Sequence, residues 1–398
     1  MPTEEQKHLL SLLAHELFQR DLSFDTASVP WSAVLDEGDR QAVTALLFPS
    51  MMQLPDLSDA LISRICGTAV SASHGAEELM QTQQEILALL EKQGIPCAIL
   101  KGTSLACLYP HPELRVLGDI DILFTKETVG EACNVLYQQG FVKTHASEKH
   151  ICLEKQGVSV EMHSMVSIFP ESEKGLFARQ FMADALQHTE TMHMGEYAFP
   201  ALSGMYQIIS LLAHMDQHLA TEGIGLRQLC DWAVAVHAQR QQISAEQLDL
   251  LEQCGLLQFA KVITRICEKY LALPSFSWCA DVDESLADAL MADILEGGNF
   301  QSNGQQRPFG GVLTDAYNVD NGTKNSIVRN YFQYVRRRIK FYHPWAKSVL
   351  WVVPFSIFYP ARWTVRMLLG KRKKFSVKQA IHSAKKREKL LRELHLYQ

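Results

Sequence analysis

The stretch Ala98-Ile-Leu-Lys-Gly-Thr-Ser-Leu105, followed after a short interval by Gly118-Asp-Ile-Asp-Ile-Leu-Phe124, decides how the chain is read. An apolar strand runs into a Lys-Gly-Thr-Ser turn, then a short helical piece, then a second strand with two carboxylates two positions apart. Residues i and i+2 of a strand face the same side, so Asp119 and Asp121 project together with Cα atoms roughly 6–7 Å apart. Ile120 and Ile122 turn to the opposite, buried face. Two acids held on one surface repel each other unless a cation sits between them. Oxygen ligands favour Mg²⁺ or Mn²⁺ there.

A third acid fits. Gly157-Val-Ser-Val-Glu-Met-His163 alternates, with Val158, Val160 and Met162 on one face and Ser159, Glu161 and His163 on the other. Placed beside the Asp119/Asp121 strand, Glu161 completes a three-carboxylate metal-binding surface. Lys101, Gly102, Thr103 and Ser104 then form the phosphate side. Glycine lets backbone approach an anion closely, and Thr103 or Ser104 can cap a helix whose N-terminal N–H groups favour phosphate.

This ordered set resembles the nucleotidyltransferase superfamily that includes DNA polymerase beta-like enzymes. More narrowly it is similar to a bacterial nucleotidyltransferase family with an L-K-G…R…D-I-D-L…E-x-H pattern. The matching residues are Leu100-Lys101-Gly102, Arg115, Asp119-Ile120-Asp121-Ile122 and Glu161-Met162-His163. The resemblance covers roughly residues 80–240 and implies an α+β fold. Its centre would be a polymerase beta-like core, a small mixed sheet with helices, flanked by N- and C-terminal helical regions. One departure stands out: the superfamily has Gly-Gly or Gly-Ser at the turn, whereas Gly102 is followed by Thr103 and then Ser104, so either hydroxyl can align with the family serine. The family's downstream helix bears a His near the nucleotide, then a Leu-Arg-x-Leu-x-Asp segment; here these are His214 and Leu226-Arg227-Gln228-Leu229-Cys230-Asp231. Two readings stand at each outlying position. Arg227 or His214 lies on the triphosphate side, or Arg227 pairs with Asp231 to join two helices. Arg115 orders the acids or reaches a phosphate, or forms a surface salt bridge. His163 orients a ligand or is a hydrogen-bonded neighbour.

At 398 residues the chain can bury a substantial core, and its 47% hydrophobic and 21% charged composition is that of a globular protein. The nine cysteines are scattered, odd in number and contain no C-x-x-C, which argues against a disulfide framework or zinc site and for a reducing cytoplasm. The start, Met-Pro-Thr-Glu-Glu-Gln-Lys, does not read as a signal peptide. The net charge of −6 hides an asymmetry: from residue 321 onward 19 Lys/Arg stand against only Glu388 and Glu393. An acidic body with a basic tail points to an anionic partner, lipid headgroups or nucleic acid.

Along the chain, residues 1–93 read as a helical region, with Glu4–Arg20 and Ala76–Gln93 amphipathic. Residues 94–200 form the nucleotidyltransferase core, with strands at Pro96–Leu100, Gly118–Phe124, Phe141–His145, His150–Glu154 and Val158–His163, and an irregular stretch over 165–200 bounded by Pro170 and Pro200. Residues 201–296 are a helical domain. His214 and His218 stand at i, i+4 there, but H-M-D-Q-H lacks the Glu of the H-E-x-x-H signature, which argues against zinc. Residues 297–326 read as a flexible connection. Residues 327–398 are a basic, aromatic tail whose longest uncharged run, Ser348–Ala361, is too short for an ordinary membrane span. It can lie in a membrane interface, bind RNA, or pack on the body.

The expected activity is transfer of NMP from an NTP to a hydroxyl, releasing pyrophosphate. Asp119 and Asp121 would hold two metal ions, with Glu161 as third ligand and base, and the Gly102 turn, Lys101 and Arg115 would meet the phosphates. The acceptor is not written in the sequence; the resemblance admits sugar- or lipid-linked, protein or RNA hydroxyls. The expected location is the cytoplasm, with the tail able to reach the inner face of the membrane. The rival is a non-catalytic nucleotide-sensing or partner-binding protein on the same fold.

Overall fold

The computed structural model describes residues 2–22, 25–220, 223–298, 348–368 and 389–398, with a few single positions between 332 and 346. At its centre is a seven-stranded mixed sheet: β1 (Ala98–Ile99), β2 (Asp119–Leu123), β3 (Val142–Ala146), β4 (His150–Lys155), β5 (Val158–His163), β6 (Thr189–Met194) and β7 (Tyr197–Leu202). The spatial order is β3-β4-β5-β2-β1-β7-β6, with β2/β5 and β1/β7 parallel and the other pairs antiparallel.

One sheet face is covered by two helices, α4 (Asp59–Lys92) and α6 (Val129–Gln138). The long α4 starts where the Ser58 hydroxyl accepts from Leu61 N–H and ends at Gly94, whose φ of +67° lets Ile95 N–H return to Leu90 C=O. Its stripe of Ala76, Leu79, Met80, Ile86, Leu87 and Leu90 packs on Ile120, Ile122, Val160 and Met162, the apolar halves of the two alternating strands. Burial of those halves fixes the acids on the other face, because a one-residue slip would invert every side chain.

The second face meets a helical layer through Ala98, Leu100, Leu123 and Leu202. That layer contains α1 (Glu4–Phe18), α2 (Trp31–Gln41), α8 (Gly204–Ala220), α9 (Leu226–Ala238), α11 (Leu257–Tyr270) and α12 (Glu284–Gly297). Shorter helices α3 (Phe48–Met51), α5 (Thr103–Ala106), α7 (Glu173–Phe181) and α10 (Ala245–Gln253) fill the connections, and α13 spans Val352–Leu368. The fold is therefore α+β, a nucleotidyltransferase-like core flanked by helical regions.

One expectation needs correction. Residues 165–200 are not irregular: they hold α7 and the β6–β7 hairpin, which extends the sheet beyond β1. Gly195-Glu196 forms its two-residue turn, Gly195 taking φ +60°, and Pro200 sits inside β7 rather than at a boundary. At the C-terminus, the reading in which the tail packs on the body describes its last residues. Leu390, Leu391, Leu394, Leu396 and Tyr397 join the main core, and Tyr397 N–H donates to Gly255 C=O at 2.8 Å. The expected connection at 297–326 lies outside the described residues except for its first two positions.

Candidate active site

Parallel pairing of β2 with β5 sets Asp121 directly opposite Glu161, and antiparallel pairing of β4 with β5 sets Cys152 opposite Glu161 and His150 opposite His163. Asp119, Asp121 and Glu161 thus meet on one face, each offering a carboxylate oxygen within 4.8 Å of the others. Asp121 is fully buried, while the Asp119 side chain is 38% exposed at the rim.

The glycine turn closes on this wall. Gly102 takes φ +68°, a conformation that L side chains rarely adopt, so the turn favours glycine for its backbone; a Cβ there would meet the Asp119 carbonyl oxygen at an ordinary 3.4 Å. Lys101 is thereby placed between the acids: its ammonium bonds Asp121 and stands 3.8 Å from Asp119. The two hydroxyls have different fates. Thr103 Oγ1 donates to Gln83 Oε1 of α4 at 2.8 Å, whereas the buried Ser104 Oγ has no hydrogen-bond partner. Of the two hydroxyls, Ser104 is thus the one not engaged by another side chain.

His163 holds two of the acids together. Its Nε2 lies 2.8 Å from Asp121 Oδ1 and 3.1 Å from Glu161 Oε2, so that nitrogen carries the proton and donates to carboxylates that can only accept. His150 Nδ1 is 3.2 Å from Glu161 Oε2, and His150, Glu161 and His163 also lie close enough to share a metal.

The electrostatics follow from crowding. Repulsion from Asp121 raises the Asp119 pKa, with Lys101 opposing it and burial adding to it. For Asp121 burial works against ionisation, yet Lys101 and His163 hold its carboxyl well below the usual range. Glu161 is likewise lowered against its burial, chiefly by the His163 hydrogen bond. Lys101 pays a large burial penalty but is raised by the three acids. Burial drives His150 down to about 4, so it is neutral at physiological pH.

Around the acids stand two cations and a histidine that burial keeps neutral. Arg227 donates to Val116 C=O at 3.3 Å, and its charge helps to lower Asp119. Partly buried His214 stacks edge-on against His218 at 4.4 Å; burial, His218, Lys101 and Lys149 all depress its pKa. Lys149, from the β3–β4 turn, is buried, and its ammonium bonds the neutral Gln217 Oε1 at 3.2 Å. Burial and the nearby Lys101 lower its pKa.

Arg115 is elsewhere. It makes neither a surface salt bridge nor a contact with the acids: Nε and Nη2 each donate to Asp231 at 2.7 Å in a buried bidentate pair, and Tyr109 OH adds a third bond to that carboxylate at 2.8 Å. Asp231 therefore pairs with Arg115, not with Arg227. Lys149, His150, Gln217 and Gln83 were missed from the sequence. Only His150 had a readable signal there, because the two-residue turn Gln156-Gly157, both at positive φ, fixes the β4–β5 register and with it the partner of His163.

The donor set suits a divalent cation: of the three carboxylates, Asp119 and Asp121 share Lys101, the one Lys or Arg among the described residues within ion-pair distance of them, and Glu161 meets only the imidazoles of His150 and His163, which leaves negative charge uncompensated. A mixed sheet presenting this triad beside a glycine turn, with helices behind it, is the core of a nucleotidyltransferase. The chain belongs to a family described as uncharacterised nucleotidyltransferase, whose model matches residues 27–272 and so contains every site residue named above. No curated protein and no solved structure matches the chain.

Proposed function

We propose that the chain transfers a nucleoside monophosphate from an NTP, ATP being the first candidate, to a hydroxyl acceptor. The acceptor oxygen forms a bond to the α-phosphorus, the α–β bridging P–O bond breaks, pyrophosphate leaves, and the hydroxyl proton passes to solvent. The observation that carries this is the meeting of Asp119, Asp121 and Glu161 on one sheet face with Lys101 from the Gly102 turn.

Asp119, Asp121 and Glu161 would hold Mg²⁺ or Mn²⁺, which when bound there neutralises phosphate charge and acidifies an acceptor hydroxyl. The lowered pKa of Glu161 makes it a ligand rather than a store for the proton. His163 fixes the directions of Asp121 and Glu161 by donating to both. Lys149 and Ser104 are the groups available to phosphate oxygens: one is a buried ammonium with a neutral partner, the other a buried hydroxyl with none. Lys101 must release a carboxylate before it can reach a phosphate. The L-K-G…D-I-D…E-x-H order and the free cysteines support a bacterial-type enzyme of the cytoplasm acting on a sugar- or lipid-linked, protein or RNA hydroxyl.

Calorimetric titration of the four NTPs with Mg²⁺ into wild type and Asp119→Ala/Asp121→Ala tests this. Metal-dependent binding that the variant loses supports the reading and names the base. Absence of binding, or binding indifferent to metal and mutation, refutes it.

A further inference from the structure

The helix α13 and the residues just before it lie outside the family match and play no part in the site. Of the fifteen exposed large hydrophobic side chains among the described residues, seven fall between Trp345 and Val365. Their distribution is ordered. At 100° per residue, Val353, Ile357, Val365 and Phe358 sweep an arc of about 140° of one side of the helix, and Leu350 and Trp351 are exposed in the 3₁₀ turn just before it. Leu350 is 77% exposed and Ile357 69%. The other side of the helix is already covered, since Phe355 packs with Val335, Ile339 and Ala346 in a small cluster of its own. The segment thus satisfies its inner face locally and leaves its outer face apolar.

We propose that this face lies in the surface of an anionic lipid bilayer, with the helix parallel to the membrane plane. Three observations select lipid. The face is broad and convex, the outside of one helix, where a protein partner binding a helix takes a narrower stripe into a groove. Its setting is basic: exposed Arg362 borders the arc, Lys371-Arg-Lys-Lys374 follows in sequence, and Glu388 and Glu393 are the only acids after residue 320. Trp345 and Trp351, in edge-to-face contact at 5.1 Å, stand at the entry to the helix, where indole rings suit a headgroup boundary. No helix among the described residues is long and apolar enough to cross a membrane, so the segment lies on the bilayer.

The test uses the full chain in flotation with vesicles of phosphatidylcholine alone or with about one-third phosphatidylglycerol, at low and high salt. Wild type floats with the anionic vesicles at low salt, at least tenfold more than with the neutral ones, and its Trp emission shifts to shorter wavelength. Val353→Glu/Ile357→Glu, which alters only exposed positions, loses that binding at least tenfold. The same variant is titrated with nucleotide beside wild type: equal behaviour shows an intact body, so the lipid result stands whether or not nucleotide binds. Wild type that stays off anionic vesicles, flotation undiminished in the variant, or binding of a homopolymeric RNA in place of lipid overturns the proposal.

Discussion

Replacing Asp231 with Ala should destabilise the fold by about 3–5 kcal/mol, the usual cost of removing one partner of a buried ion pair. Asp231 is almost fully enclosed and accepts from Arg115 Nε, Arg115 Nη2 and Tyr109 OH at 2.7, 2.7 and 2.8 Å. Without it a buried guanidinium keeps its charge and loses its partner. Tyr109, whose pKa burial and Asp231 hold well above its ordinary value, would also lose its acceptor. Counting three bonds to a charged group at about 1.5–3 kcal/mol each gives a larger sum, but such values overlap within one network and the lower range is adopted. Urea unfolding followed by circular dichroism reads the loss directly. Arg115→Met/Asp231→Leu, which removes both charges, should recover most of it. A loss under about 1 kcal/mol in Asp231→Ala, or a double variant no better than the single, would falsify the claim that this pair clamps the strand carrying Asp119 to the helix carrying Arg227.

Four further outcomes are expected. His163→Ala should weaken Mn²⁺ binding about 10- to 100-fold by calorimetry while the ligands stay in place, the range for losing a group that orients metal ligands. Lys149→Met should weaken NTP binding at fixed metal affinity; an unchanged NTP Kd would remove Lys149 from the phosphate side. In chelator-treated protein, burial lowers His150 from 6.5 to about 4, so the unfolded chain binds more protons in that window; stability should fall as pH drops through it, less steeply in His150→Gln by thermal melts. Gly255→Ala should loosen the C-terminus, detectable as faster proteolysis after residue 388, because Gly255 has φ +67° and an added Cβ would stand 2.5 Å from Tyr397 Cα.

The acid triad was legible because strand alternation is a covalent property: with Ile120, Ile122, Val160 and Met162 buried, Asp119, Asp121 and Glu161 had one face left. Glycine at 102 was equally readable as a turn, but the choice between Thr103 and Ser104 depended on Gln83, a residue of another helix. Long-range partners of this kind leave no local trace. Arg115 and Asp231 are 116 positions apart, and the nearer candidate, Arg227, shares a helix with Asp231 at i, i+4 yet points to Val116. The β6–β7 hairpin was hidden by Pro200, read as a boundary although its ring sits within a strand that bonds β1 only near Ile99 and Ala201. Lys149 was missed because a turn lysine is ordinarily solvated, and only the packing of Gln217 over the turn reveals it as buried.

These placements give the site a division of charge that no single motif contains. Asp119, Asp121 and Glu161 form an anionic wall on β2 and β5, while Lys149, Arg227 and His214 approach from the β3–β4 turn and from α8 and α9. Burial keeps His150 and His214 neutral, so neither compensates the acids; Lys101 ion-pairs with Asp119 and Asp121, and His163 donates to Asp121 and Glu161. Lys149 and Arg227 are held in the opposite predicament, their pKa values lowered by burial and by neighbouring cations. Asp119 on the one side and Lys149 and Arg227 on the other are therefore disfavoured in their charged forms, and each would be relieved by a ligand of opposite sign. A lone anion would relieve one wall and burden the other, and so would a lone cation. On the proposed reading, a divalent ion carried on a triphosphate would answer both together, which is the reason to expect a metal–nucleotide complex to bind better than either component alone.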